Sequence, residues 1–152
     1  HNVNVMDSTS NYWQITGVQL ELGDNATPFE HRSYADELLR CQRYLLAVCS
    51  PVDDHNVYLG TGFYYTSSYM MMYVSHPVDM RSDPTIESTN QSNAFVIYRN
   101  GSGDTFDDMT TNGSTLRGTM LQNNTDMSGT AGQAGGVFNG TVGGKMLLKA
   151  EL

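Results

Sequence analysis

Carboxylates and tyrosines are the residues best suited to chemistry in this chain of 152 residues. The nearest approach to a metal cluster is Asp104-x-x-Asp107-Asp108, and calcium prefers such oxygen-rich loops. Its spacing, however, lacks the alternating acidic positions of calcium-binding loops. We therefore interpret it as a solvated acidic turn, and we expect neither a bound metal nor another cofactor.

Acid–base chemistry has one local candidate, Asp53-Asp54-His55, because histidine titrates near neutrality. Adjacent residues on a loop usually point apart, which disfavours a shared reaction centre. The sequence also has no nucleophile elbow, no zinc-ligand spacing and no phosphate-binding loop. We predict that the chain is not an enzyme, although its many carboxylates leave a glycosidase pair open.

A dense group of tyrosines and methionines forms the second kind of candidate. Tyr64, Tyr65 and Tyr69 lie beside three consecutive methionines at positions 70–72. Three interpretations stay open: a plain hydrophobic core, which is favoured, a surface that stacks on sugar rings, or a subunit interface. Methionines on both faces of a strand favour cover by a neighbouring subunit on at least one side.

Polar loops complete the predicted binding surface. The longest loops are predicted at 50–56, 100–114 and 123–136, and recognition residues usually lie on loops that a rigid scaffold positions. Their short Asn, Asp, Ser and Thr side chains suit sugar hydroxyls. The candidate ligand-binding residues are Tyr64, Tyr65, Tyr69, Asn100, Asp104, Asp107, Asp108 and Asn112.

Charge limits the possible partners. Acidic residues outnumber basic ones 16 to 8, which gives a net charge of −8. Nucleic acids and anionic membranes bind clustered Lys and Arg, so neither is an expected partner. The same acidic excess disfavours anionic glycans. No apolar run is long enough to span a bilayer, so we expect no membrane insertion.

Short strands separated by turn residues predict an all-β domain. Abundant Gly, Ser, Thr, Asn and aromatic residues favour strands and turns, and strand spacing of about 8–12 residues is typical of a β-sandwich or jelly roll. Asn112-Gly113 predicts a hairpin turn. Residues 45–48 are apolar on both faces, which predicts a central strand or one at a subunit interface. The strands are predicted at 45–48, 57–66, 69–75, 85–89, 94–99, 115–122 and 145–152.

The segment from 13 to 44 changes character twice. Val18, Leu20 and Leu22 alternate with polar residues, which predicts a strand over 13–22. Residues 23–32 follow as a crossing loop. Ser33 is a candidate N-cap for a short helical turn over 33–44.

Several motifs in this segment resemble a known protein family. They are Trp13-x-x-Thr16-Gly17-Val18-Gln19-Leu20-Glu21-x-Gly23, Ala26-Thr27-Pro28-Phe29-Glu30 and Glu37-Leu38-x-x-Cys41-Gln42-Arg43-Tyr44. Together they resemble a junction in tail-fibre and other virion-surface proteins of tailed bacteriophages, particularly marine ones. His76-Pro77-Val78-Asp79-Met80-Arg81, Pro84-Thr85 and Ala150-Glu151-Leu152 resemble the C-terminal domain of the same family.

The resemblance implies architecture and host attachment rather than catalysis. Residues 1–32 would be the end of an upstream jelly-roll domain, similar to carbohydrate-binding modules, with its crossing loop. Residues 33–152 would be the C-terminal β-sandwich domain. The implied function is receptor binding on a host-surface glycan or protein, within a virion assembled in the host cytoplasm beside other tail proteins. A structural decoration or neck protein and a polysaccharide-degrading tailspike domain are the alternatives.

Two further expectations concern assembly and cysteines. Strands that are apolar on both faces need more cover than one small sandwich provides, so we predict a homotrimer with residues 13–45 near its axis. Cys41 and Cys49 are separated by residues with no turn signal, which places them beyond disulfide reach if 41–48 is one strand. Both are expected to be buried thiols.

Overall fold

A computed structural model describes residues 12, 14–25, 27–50, 56–89, 91–140 and 144–151. The chain divides into two units, His1–Ser33 and Tyr34–Leu152. Part of the predicted loop 50–56, including Asp53, Asp54 and His55, lies outside the described residues, as do Trp13 and Leu152.

The second unit is built from one helix and ten strands over its described residues. In chain order these are α1 (Tyr34–Gln42), β1 (Leu45–Cys49), β2 (Tyr58–Thr66), β3 (Tyr69–Ser75), β4 (Thr85–Ser88), β5 (Phe95–Arg99), β6 (Ser102–Phe106), β7 (Thr110–Thr115), β8 (Gly118–Asn123), β9 (Ala134–Asn139) and β10 (Met146–Lys149). The strands form a three-stranded sheet, β1-β10-β4, and a seven-stranded sheet, β6-β5-β9-β2-β3-β8-β7. All pairs are antiparallel.

The two sheets share one hydrophobic core, and the predicted all-β sandwich is confirmed. Met70 and Met72 of β3 and Met146 and Leu148 of β10 are fully buried in the same cluster. Side chains alternate across a strand, so buried residues two apart place one face of each sheet in this core. The chain's β-branched, methionine and aromatic residues therefore fill the space between the sheets.

Two hairpins lie close to where the sequence predicts them. β2 and β3 are joined at residues 67–68, as predicted. β5 and β6 are joined through Asn100 and Gly101, whose φ angles are 47° and 75°. Positive φ at both turn residues matches the right-handed twist of paired strands.

The hairpin predicted at Asn112-Gly113 is wrong. Both residues lie inside β7, beside an irregularity in its pairing with β8, and the turn lies at residues 116–117. There the Thr115 hydroxyl accepts hydrogen bonds from the Arg117 and Gly118 amides at 3.3 and 3.2 Å. A side-chain hydroxyl can hold a turn in this way, so no Asn-Gly pair is needed.

Consequently the loop predicted over 100–114 is wrong, because β6 and most of β7 occupy it. The loop predicted over 123–136 is shorter than expected, since β8 extends to Asn123 and β9 begins at Ala134.

β1 is an edge strand, so the central position that the sequence offered is wrong, and its alternative, a strand at a subunit interface, stays a prediction. It pairs with β10 alone, and Leu46 and Val48 pack on the core while Leu45 is exposed.

The strand predicted over 13–22 is absent from the described residues 14–22. Glu21 instead accepts hydrogen bonds from the Thr27 amide and hydroxyl at 2.5 and 2.6 Å, and Gln19 accepts one from the Glu30 amide at 2.9 Å. The polar side chains thus fold back on the loop that follows. Leu20 and Leu22 stay fully exposed, since alternation supplies an apolar face but no partner strand.

The predicted helical turn is confirmed as α1, with Asp36 and Glu37 in its first turn and Arg40 in its last. These charges complement the helix dipole. No disulfide joins the two cysteines: Cys41 is exposed, which corrects the expectation for that thiol, and Cys49 is buried with its sulfur 3.3 Å from the Gly144 carbonyl oxygen.

Candidate functional site

The outer face of the seven-stranded sheet, which points away from the core, is rich in exposed aromatic side chains. Alternation directs one side chain of each consecutive pair outward. The fractional exposures are 57% for Tyr58, 38% for Phe63, 64% for Tyr65, 55% for Tyr73 and 49% for Tyr98. An apolar face left exposed in this way is a candidate interaction site.

Charge is excluded from this outer face. Within the seven described strands, Arg99 and Asp104 are the only Asp, Glu, Lys or Arg residues. They pair with each other at 3.5 Å, and their side chains are only 13% and 16% exposed. A ligand on this sheet therefore meets hydroxyls and rings rather than ions.

Three rings form a compact cluster on β2, β5 and β9, which we call the aromatic triad: Tyr58, Tyr98 and Phe138. The Phe138 ring meets both tyrosines edge to face, with centroids 5.3 Å from Tyr58 and 5.5 Å from Tyr98. Edge-to-face contacts of this kind add stabilisation beyond area burial. The triad is thus an organised surface, while Tyr58 and Tyr98 keep about half of their area open.

Glycines in the adjoining strands let the triad rings lie close to the backbone. A Cβ on Gly136 would lie 2.7 Å from Phe138 Cε2 and 3.2 Å from Tyr58 Cε2. A Cβ on Gly103 would lie 3.0 Å from Tyr98 Cε1. Each ring therefore occupies space that any other residue would fill.

Tyr73 follows the same arrangement elsewhere on the outer face. A Cβ on Gly118 would overlap its hydroxyl oxygen at 1.9 Å. The pairing of an aromatic ring with a glycine of the next strand is a known way to cover exposed strand backbone.

Tyr64, a predicted binding residue, belongs instead to a buried polar network. Its exposure is 1%, and its hydroxyl donates to Asp104 Oδ2 at 2.5 Å. The Ser128 amide donates to the same oxygen at 2.8 Å, and the Arg99 guanidinium lies 4.7 Å from the Tyr64 ring centroid. Burial, together with the Asp104 carboxylate, raises the pKa of Tyr64 to about 12. A ring so enclosed cannot stack on a ligand.

Tyr65 and Tyr69 lie at the turn end of the β2–β3 hairpin. Their rings meet edge to face with centroids 5.7 Å apart, and the Tyr69 hydroxyl donates to Gln122. Tyr65 is the most exposed tyrosine of the outer face, so it remains available to a ligand.

Asp107 and Asp108 lie beside Asp126. Asp107 accepts from the Asn93 amide at 2.8 Å, and its own amide donates to Asp126 at 3.2 Å. Burial and the nearby Asp126 and Asp107 charges raise the pKa of Asp108. Among the described residues, no three His, Cys, Asp or Glu side chains are arranged to hold a metal ion.

The two predicted asparagines are separate from both clusters. Asn100 is exposed in the β5–β6 turn, and Asn112 is exposed within β7. The structure therefore brings Tyr64 and Asp104 together as a structural pair, and it does not gather the predicted set into one site.

Sequence reasoning missed the aromatic triad. The sequence feature that could have indicated it is glycine at strand positions such as 103 and 136, because a glycine leaves space for an aromatic ring beside the backbone. That signal becomes readable only once strand register sets each glycine beside a ring, as Tyr98 beside Gly103 and Gly136.

Comparison with family models, with curated proteins and with solved structures gave no match. Within the part of the chain that the structure describes, no helix has the length and apolar character needed to cross a membrane.

Proposed function

We propose that this chain is a host-attachment domain of a tail-fibre-like virion protein and acts by non-covalent receptor binding. The junction motifs at 13–44 support this origin. The observation that carries the binding function is the outer face of the seven-stranded sheet, which is aromatic, exposed and uncharged. Such a face offers a receptor aromatic contact area but no charged groups with which to form ion pairs.

Binding fits this surface better than catalysis does. General acid–base chemistry needs a titratable group that reaches its substrate. On the described strands of this sheet, the two charged side chains are paired with each other and largely buried. The tailspike alternative would therefore need its carboxylates elsewhere.

We also propose that the chain works as a homotrimer. α1 buries none of its side chains, and three of its apolar residues are exposed: Tyr34 by 82%, Leu38 by 40% and Leu39 by 44%. In the first unit, Val18, Leu20 and Leu22 are likewise exposed. Apolar residues exposed in each unit favour association, and three linked copies would multiply a weak single-site affinity.

Cell binding tests the proposal. Fluorescently labelled protein is incubated with a panel of bacterial isolates that includes marine species, and retention is measured with and without excess unlabelled protein. Saturable, competed binding to some isolates is expected, with no release of reducing ends from their surface polysaccharide. Released reducing ends would establish a tailspike enzyme instead.

If no isolate shows saturable binding and an antibody against the chain labels a phage capsid or neck, the attachment proposal is wrong and the structural decoration alternative takes its place. A control variant with Leu20→Ser and Leu22→Ser, both remote from the outer face in sequence, should retain the binding of each separate chain but lose avidity.

A further inference from the structure

We infer that the aromatic triad is a binding site for a neutral glycan, with Tyr58 and Tyr98 stacking on its sugar rings. This inference rests on the proposed attachment function and names the ligand class and the residues. None of the three residues belongs to the set that the sequence predicted. The juxtaposition of two half-exposed tyrosines around Phe138 is what carries it.

The ring geometry favours a ligand with an apolar face that can stack on the tyrosines. The C–H face of a pyranose ring is apolar and packs against aromatic faces, while tyrosine supplies a hydroxyl at the edge. Phe138 fixes both tyrosines by edge contacts, and Gly136 and Gly103 leave room for the rings beside the backbone. A preorganised surface loses little conformational freedom when it binds.

Hydroxyls beside the triad supply the polar contacts that a sugar requires. The Tyr58 hydroxyl and the Thr61 hydroxyl lie 2.8 Å apart, and both residues are exposed. Each oxygen can both donate and accept. Sugar hydroxyls have the same dual capacity, so this pair can exchange hydrogen bonds with them in either direction.

The absence of charge selects neutral glycans over anionic ones. Arg99 is the only basic residue of the described seven strands, and it points into the network with Tyr64 and Asp104. The net charge of the chain is −8. A sulfated or uronic-acid glycan would be repelled at long range and would find no exposed cation on these strands, since Arg99 is largely buried and paired with Asp104.

A second copy of this chain is the competing occupant. Interface centres characteristically place arginine beside their aromatic anchors. The outward positions of these strands carry none, and hydroxyls accompany the rings instead. The observations therefore favour a sugar, and self-association becomes an outcome of the test.

The test uses the full chain, with binding measured by calorimetry and by chemical-shift changes in NMR spectra. The probes are neutral gluco-, galacto- and manno-hexasaccharides, with sulfated and uronic-acid hexasaccharides for comparison. At least one neutral probe should bind and the anionic ones should bind more weakly. Tyr58→Ala and Tyr98→Ala should each weaken that binding at least about tenfold, whereas Tyr58→Phe should weaken it less, because it keeps the stacking ring and loses only the hydroxyl.

Two further variants compare the triad with the rest of the sheet. Gly136→Ala displaces the Phe138 and Tyr58 rings, and it should weaken binding about threefold or more without unfolding the strand. Leu116→Ala is the control, because Leu116 is an exposed apolar residue, at 43%, in the turn between β7 and β8, and these strands lie at the opposite edge of the sheet from β5. It should change affinity less than about twofold. Circular dichroism checks that each variant is folded.

Three results would overturn the inference. They are binding that survives Tyr58→Ala and Tyr98→Ala, binding of none of the neutral probes, and a mass in light scattering that falls on Tyr98→Ala, which would assign the triad to a second copy. If cells still bind the protein while the sugars do not, attachment stands and the glycan site fails. If wild-type protein binds no cells, the proposed function itself fails.

Discussion

Single residues show how this sheet excludes charge from its outer face. Arg99 and Asp104 occupy neighbouring strands, and their side chains are directed into a network with Tyr64 and the Ser128 backbone. A buried ion pair is stable only when further hydrogen bonds satisfy its atoms. Tyr64 therefore acts as a structural residue whose hydroxyl helps to hold the Asp104 carboxylate inside the domain.

Tyr64→Phe should destabilise the domain. The substitution removes one hydrogen bond to a buried carboxylate, so the free energy of unfolding should fall by about 1.5–3 kcal/mol. Urea denaturation measures it. Tyr65→Phe is the adjacent control, since Tyr65 is 64% exposed, and it should change stability by less than about 0.5 kcal/mol. Equal effects of the two variants would contradict the network's role.

Acid sensitivity should depend on Glu87. Its carboxylate pairs with Lys145 and Lys149, and the hydrogen bonds from these lysines lower the pKa of Glu87 from 4.5 to about 2. A carboxyl whose pKa is lowered by folding stabilises the native state above its unfolded value. That contribution is lost as the pH falls from about 4.5 towards 2.

Glu87→Gln should therefore lower the melting temperature slightly at pH 7 and leave it unchanged near pH 2. The effect is small because the Glu87 side chain is 38% exposed. Asp79→Asn is the control: its pair with Arg117 is more exposed, at 59% and 81%, and should contribute nothing measurable. A Glu87→Gln effect that grows on acidification would have the wrong sign.

Turn chemistry at the element scale can be tested with two glycines. A Cβ on Gly101 or on Gly113 would meet no atom within 4 Å, but only Gly101 has a positive φ, of 75°. Gly101→Ala should destabilise the domain by about 1–2 kcal/mol, because an L-residue resists that conformation. Gly113→Ala should leave stability unchanged or raise it by up to about 1 kcal/mol. Thermal unfolding compares them directly.

Local patterns predicted the elements, while pairing had to come from the structure. Residues 67–68 and the helical period after Ser33 were sufficient to place the β2–β3 hairpin and α1. The turn prediction at Asn112-Gly113 is wrong because the turn lies four residues later, at 116–117, where the Thr115 hydroxyl holds it. The prediction of a strand is wrong for residues 14–22 because the alternation of apolar and polar residues indicates which face is apolar but not which strand will pair with it.

The candidate site was hard to predict for the same reason. Tyr64 and Tyr65 are neighbours with equal chemistry, yet one is buried and the other exposed. Only the position of the three-stranded sheet decides which of two alternating faces becomes the core. The triad also depends on register, which unites Tyr58, Tyr98 and Phe138 from three strands far apart in sequence.

Association is the prediction that belongs to the whole molecule. Light scattering at micromolar concentration should give three times the chain mass of 16.8 kDa. We expect the contact between the copies to involve residues 13–45. Leu38→Glu on α1 should shift the protein towards monomers, because it places a charge on an apolar exposed position. Tyr73→Glu on the outer face is the control and should not. A monomeric mass for the unaltered chain would refute the trimer.

The strand order has a consequence for synthesis on the ribosome. β9 joins β5 to β2, and β10 joins β1 to β4, so the two latest of the described strands lie inside their sheets. Until residues 134–149 emerge, the seven-stranded sheet exists as two fragments, and β1 and β4 have no partner strand between them. Long-range pairing of this kind slows folding. A nascent chain stalled before β9 would expose four strand edges that the complete fold covers: those of β5 and β2 on either side of the missing β9, and those of β1 and β4 on either side of the missing β10. Other nascent chains on the same messenger RNA could pair with these edges.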